Sequence, residues 1–197
     1  MNLVKWSEYF SKMKDMKVEI RRFSQYPFER NFSEIVRAAI DGGFDYMFQY
    51  DADMIGDKKI IEKLVAHDKE CVGAAFYSRQ APHKVQMWDV EEDKDGEISY
   101  FYQYNREAVK KAIEAGCLVR TDVRGGGFTL FKVSALRKFS YPYARFKYSR
   151  LIDGMVHGID MDITWKITKE YGGVYTDFDQ SLDVKHITFK SVTSDDH

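Results

Sequence analysis

The sequence predicts an α/β fold in one domain, with a mostly parallel central sheet covered by helices on both faces. Three observations predict it. Between residues 17 and 77, apolar runs suited to strands alternate with amphipathic stretches, and that β-α-β-α-β rhythm calls for a parallel sheet covered on both sides. Glycines stop the helical stretches, at Gly42-Gly43, Gly116 and Gly172-Gly173. The chain has 197 residues, 44% hydrophobic and 31% charged, enough for one full core and too little for two comfortable ones.

Taken in order, residues 4–13 read as a helix with Trp6, Tyr9, Phe10 and Met13 on one face. Residues 17–23 alternate apolar and polar, as a half-buried strand does. Residues 29–41 place Phe32, Ile35, Val36, Ala39 and Ile40 at helical spacing. The dense apolar run 44–50 is expected to be a central strand. A helix over 58–67 and a strand over 71–77 complete the first half. The second half changes character. Residues 85–104 suit antiparallel strands turned at Lys94-Asp95-Gly96, and 106–115 suit a helix. Gly125-Gly126-Gly127 lead into a strand over 128–131, and residues 140–157 read as a loop rich in Tyr and Arg. A helix over 160–171 and strands around 174–175 and 182–187 finish the domain. Residues 191–197 read as a frayed tail.

Composition excludes several classes. A net charge of -1 gives no global field for nucleic acid or an anionic membrane. Cys71 and Cys117 form no CxxC, so neither a disulfide framework nor a zinc knuckle is indicated. No run of about 18 apolar residues exists to span a membrane, and the first 17 residues lack the apolar stretch of a signal peptide. A cytoplasmic protein is expected.

The chemistry concentrates in acidic pairs. Asp-x-Asp occurs four times, at Asp51/Asp53, Asp93/Asp95, Asp160/Asp162 and Asp177/Asp179. Asp93/Asp95 falls in a charged hairpin turn and suits a solvated surface. Asp51/Asp53 ends the most hydrophobic strand, where the carboxyl edge of an open α/β sheet places ligands. Side chains two apart on an extended stretch point the same way, so both carboxylates can face one hard cation. A strand running into an acidic turn is the plainer alternative.

The ordered series Arg30-Asn31, Tyr46 through Met54, Val72 through Phe76, Gly125 through Phe131, Gly158 through Asp162 and Gly173 through His186 resembles glycosyltransferases of the GT-A fold. It is most similar to compact, family-2-like enzymes, including those encoded by archaeal viruses. The resemblance implies a Rossmann-like three-layer sandwich with a smaller antiparallel sheet on the acceptor side. It implies a single catalytic domain over 1–190, with a donor-binding half at about 17–84 and an acceptor-side half at about 85–190. It further implies transfer of a sugar from a UDP- or GDP-linked donor to an unidentified glycan or protein acceptor, with inversion and with Mn²⁺ or Mg²⁺, in the host cytoplasm if the source is viral. Residue by residue, it gives Asp51 to the ribose and metal region and Asp53 to direct metal coordination. Arg30, Gly126 and Gly127 fall in the donor site, His186 at a third metal-ligand position, and Asp160 at the catalytic base. Two departures stand out. Ile159 replaces the acidic residue expected before Asp160, which leaves Asp162, and also Asp153, as rival bases. The chain also lacks an obvious opening strand for the nucleotide base. The tract 143–150, with Arg145 and Lys147, has the cations to close over donor phosphates.

Other readings stay open. A haloacid-dehalogenase-like phosphatase would use Asp51 as nucleophile, but Ile55 stands where such enzymes carry Thr. A non-catalytic glycan-binding module with the same fold would use the aromatic surplus. A dinucleotide-binding site is disfavoured because the glycine run precedes a strand rather than a helix, and no GxxxxGK[ST] loop exists.

Overall fold

The computed structural model describes residues 8–12, 16–21, 23, 27–79, 83–96, 98–104, 106–116, 118–148, 156–182 and 184–186. The long helix α1 (Phe28–Asp41) buries Phe32, Val36 and Ala39 along one stripe. Gly43, at φ +66°, turns the chain toward β1 (Tyr46–Tyr50). There follow β2 (Met54–Ile55), α2 (Ile60–Ala66), β3 (Cys71–Ala74), β4 (Met87–Glu92), β5 (Ile98–Gln103) and α3 (Arg106–Ala115). Then come β6 (Leu118–Thr121), β7 (Val123–Arg124), β8 (Phe128–Lys132), α4 (Val133–Leu136), β9 (Lys147–Tyr148) and β10 (Val156–His157). Helix α5 (Ile159–Tyr171), β11 (Val174–Asp177), a 3₁₀ turn at Gln180–Leu182 and β12 (Lys185–His186) close the order.

The central sheet runs β1-β8-β3-β11-β6. Alternate side chains feed two layers. Met47, Cys71 and Phe131 pack with Phe32 and Val36 of α1 and with Ile163 and Ile167 of α5. Val72, Phe128 and Leu130 pack on the opposite face with Ile60 and Leu64 of α2. Helices therefore cover both faces, as the alternating pattern requires.

The sheet is mixed rather than mostly parallel. β1, β3 and β11 run one way, but β8 inserts between β1 and β3, antiparallel to both, and β6 is antiparallel to β11. Among the described residues, the one adjacent parallel pair is β11 with β3. The run at 44–50 is accordingly an edge strand, not a central one, and within β1 only Met47 is fully buried. Local periodicity reports that a segment is a strand; it does not report which distant strand lies beside it.

Smaller sheets flank the centre: β5-β4-β7, β12 with β2, and β10 with β9. The turn at residues 93–96 joins β4 to β5, with Gly96 at φ +77°. Two sequence expectations change. The described part of 17–23 forms no strand; Val18 packs on the α2-side core, and no ladder partner joins it among the described residues. The expected strand over 182–187 is a 3₁₀ turn followed by the two-residue β12. Residues 8–10 are helical, while Trp6, Met13, Asp153 and the tail lie outside the described residues.

Arg124 fastens these pieces together. It is 1% exposed, and its guanidinium donates to the carbonyls of Tyr175 (2.8 Å) and Ala74 (2.9 Å), with Thr176 Oγ1 at 3.3 Å. Gly73 makes room for it, since a Cβ there would stand 2.4 Å from the guanidinium carbon. Burial pulls the Arg124 pKa down to about 10, so the group stays charged at neutral pH.

Candidate active site

Three strands, β1, β3 and β11, end at the same edge of the sheet, and the glycine run 125–127 enters β8 there. The N–H of Asp51 donates to the Gly127 carbonyl at 3.1 Å, which fixes the first residue beyond β1 against the glycine run. The glycines are needed because side chains already crowd them. A Cβ on Gly126 would stand 2.5 Å from Gln49 Nε2, and one on Gly125 would stand 2.8 Å from the Phe76 ring. A Cβ on Gly127 would stand 3.3 Å from Asp51 Oδ2. Gln49 in turn reaches the Asp51 carboxylate, with Nε2 3.4 Å from Oδ1.

Asp160 approaches from the other side, in the first turn of α5 after the N-cap residue Gly158. Its Oδ2 accepts the Gly126 N–H at 3.2 Å and its Oδ1 accepts the Met161 N–H at 3.0 Å. Burial raises its pKa; the two backbone N–H groups oppose that shift, and the nearby Asp51 carboxylate adds to it. Asp51, Gln49, the glycine run and Asp160 are thus one connected group.

Asp162 faces elsewhere. It is 2% exposed, and its Oδ2 accepts the Arg145 N–H at 3.0 Å and stands 2.8 Å from Lys166 Nζ. Lys147 Nζ lies 3.6 Å from Oδ1. This carboxylate pins the start of the 143–147 segment, which Ser33 and Glu29 of α1 also hold through the N–H groups of Tyr143 and Phe146. The last acidic pair is likewise occupied: Asp177 bonds His67 Nε2 at 2.8 Å and receives the Asp179 N–H, while Asp179 pairs with Lys63.

The remaining candidates are placed less tightly. Asp53 forms an ion pair with Arg79. His186, on β12 opposite Met54, sets its Nδ1 against the Tyr77 carbonyl and its ring edge-to-face with Phe76, centroids 5.5 Å apart. Nδ1 against a carbonyl favours the tautomer whose Nε2 carries a lone pair. Arg30 is exposed on α1, and among the described residues no hydrogen bond or ion pair joins it to Asp51 or Asp53. Among those residues, too, no three His, Cys, Asp or Glu side chains gather as a metal cluster. Among the described residues Asp51, Asp53 and His186 form no such cluster, and Asp53 is paired with Arg79 instead.

Sequence reasoning passed over Gln49, Arg79 and Arg124. Gln49 had a signal: a polar, non-aromatic residue in a strand otherwise made of Tyr, Met and Phe. Arg79 and Arg124 act on partners distant in sequence and left none.

No family model and no curated protein matches the chain. The fold has a solved relative. A197 from STIV shares it. The crystal structure of A197, from an archaeal virus, matches with a TM-score of 0.52, covering 84% of this chain and 70% of that one at 12% identity. At that identity A197 attests the fold and transfers no residue roles.

Proposed function

We propose that this protein transfers a sugar from a nucleotide-diphosphate donor to an acceptor hydroxyl, with inversion at the anomeric carbon. The observation that carries the reading is the meeting of Asp51 and Asp160 across Gly126 at the carboxyl edge of the sheet. The order of motifs that resembles GT-A glycosyltransferases supports it.

In this reading the acceptor oxygen attacks the anomeric carbon, the carbon–oxygen bond to the diphosphate breaks, and its electron pair leaves with the diphosphate. The acceptor proton passes to Asp160. Burial makes that carboxylate more basic than an ordinary one, while the N–H groups of Gly126 and Met161 favour its ionised form. Gly126 and Gly127 leave the backbone bare beside the donor. Asp51 would hold a divalent cation, together with Asp53 once Arg79 gives way, and such a cation would offset the charge on the departing diphosphate.

Thermal shift with UDP- and GDP-sugars, with and without Mn²⁺, tests the reading, followed by assay of nucleotide release. Stabilisation that needs both nucleotide and metal, and turnover lost in Asp51→Ala, are expected. Absence of stabilisation by either class of donor under both conditions overturns it.

A further inference from the structure

Among the described residues, three buried side-chain oxygens lack a hydrogen-bond partner: Asn31 Oδ1, Gln49 Oε1 and Asp162 Oδ1. Each is an acceptor, and each sits at the same end of the fold. Gln49 is the penultimate residue of β1, at the carboxyl edge. Asp162 lies in the first turn of α5. Asn31 lies early in α1, beside the residues Glu29 and Ser33 that share the 143–147 segment with Asp162.

Buried polar atoms without partners are rare in folded proteins, because each forfeits its hydration for nothing. Acceptors left over with no donor left over are places for water or for a ligand that brings donors. Asp162 Oδ1 is partly compensated by Lys147 at 3.6 Å. Gln49 has no such cation. Its amide orientation follows from chemistry: a carboxylate only accepts, so the NH₂ end must face Asp51 and the carbonyl end must point away from it. Gly126 lies directly against this amide, where a Cβ would stand 3.0 Å from Oε1, so only a bare backbone leaves the amide room to turn toward a ligand.

We infer that Gln49 Oε1 accepts a hydroxyl of the sugar carried by the donor, and so helps select a hydroxyl-rich ligand beside Asp51. The inference rests on the nucleotide-sugar reading above. Gln49→Met gives up the long, exposed Nε2 contact with Asp51 but relieves the unpaired Oε1, so the free protein should lose no stability on balance, whereas a role in the framework predicts a loss.

The test compares wild type with Gln49→Met by calorimetric titration of UDP-glucose, GDP-mannose, UDP and GDP in Mn²⁺, and by melting without ligand. For the nucleotide that wild type binds, the variant should lose about 10-fold in affinity for the sugar nucleotide and less than about 2-fold for the free diphosphate. The ligand-free variant should melt no lower than wild type. Equal losses on sugar nucleotide and free diphosphate, or no loss on either, overturn the assignment of Gln49 alone. An unfolded or lower-melting variant places Gln49 in the framework and overturns it as well. If wild type binds neither sugar nucleotide, the nucleotide-sugar reading falls and this assignment falls with it.

Discussion

Asp160 reaches back to the N–H of Gly126, 3.2 Å away, so the first turn of α5 and the entry to β8 are held as one unit. Asp162, two residues on, turns to Lys166 and the 143–147 segment instead. Helical neighbours at that spacing do not share a face, and the two carboxylates are expected to fail differently when changed.

For Asp160→Asn, donor binding should persist while transfer falls by at least about 100-fold, the low end for loss of a general base. The wild-type rate should decline on the acid side at a pH above the ordinary carboxylate range, because burial raises the Asp160 pKa. Rate–pH profiles of both proteins check this. If Asp162→Asn proves the inactive one, the roles must be exchanged.

The same raised pKa sets a sign for stability. The folded protein holds the Asp160 proton to higher pH than the unfolded chain, whose value is near 3.8. That contribution is complete below the unfolded value and is lost as pH rises through the folded one. Relative to wild type, Asp160→Asn should therefore gain in melting temperature as pH rises from the unfolded value through the folded one. A difference that is flat across this range counts against the buried carboxylate.

Asp162→Asn should chiefly cost stability. Asn keeps an acceptor for the Arg145 N–H but loses the charge that faces Lys166 and Lys147. Both lysines can turn to water, so the loss should be about 1–2 kcal/mol, a fall in Tm of roughly 2–8 °C. Turnover per folded molecule should drop less than about 10-fold; chemical denaturation and active-site titration separate the two effects.

Arg79→Ala tests the acidic pair at Asp51 and Asp53. The Arg79–Asp53 pair is partly exposed and should be worth no more than about 1 kcal/mol. Removing it leaves the Asp53 carboxylate without its cation. Mn²⁺ should then bind more tightly with little change in Tm. A weaker Mn²⁺ titration would mean that Asp53 does not face the metal.

Gly73→Ala should be severe. Its Cβ would stand 2.2 Å from the Phe128 carbonyl and 2.4 Å from the Arg124 guanidinium, both within the packed sheet. A loss above about 3 kcal/mol, or failure to fold, is expected. Wild-type melting of this variant would show that β3 and β8 can part more easily than their spacing implies.

The elements written in local code were legible in the sequence. Gly42-Gly43, Gly116 and Gly172 stop α1, α3 and α5, and Gly96 turns the β4–β5 hairpin. Residues 118–121 and 123–124 were not read as strands, because two to four residues carry no usable period. The site was legible in part for the same reason. Asp51 announces itself by ending an apolar run, and Asp160 by opening a helix. The ion pair of Asp53 with Arg79, the sideways turn of Asp162 and the unpaired oxygen of Gln49 arise only when distant segments meet.

The insertion of β8 between β1 and β3 governs how the chain comes off the ribosome. β1 and β3 are both made before residue 85, yet neither borders the other, and the strand that bridges them is translated some 50 residues later. β11, the parallel neighbour of β3, follows later still. A nascent chain through about residue 84 therefore carries apolar strand edges without partners, and must wait for its second half before the sheet can close. The segment up to about residue 84 is a region of the finished molecule, not an independently assembling one, and splitting the gene near residue 85 should yield two fragments that become soluble only when made together.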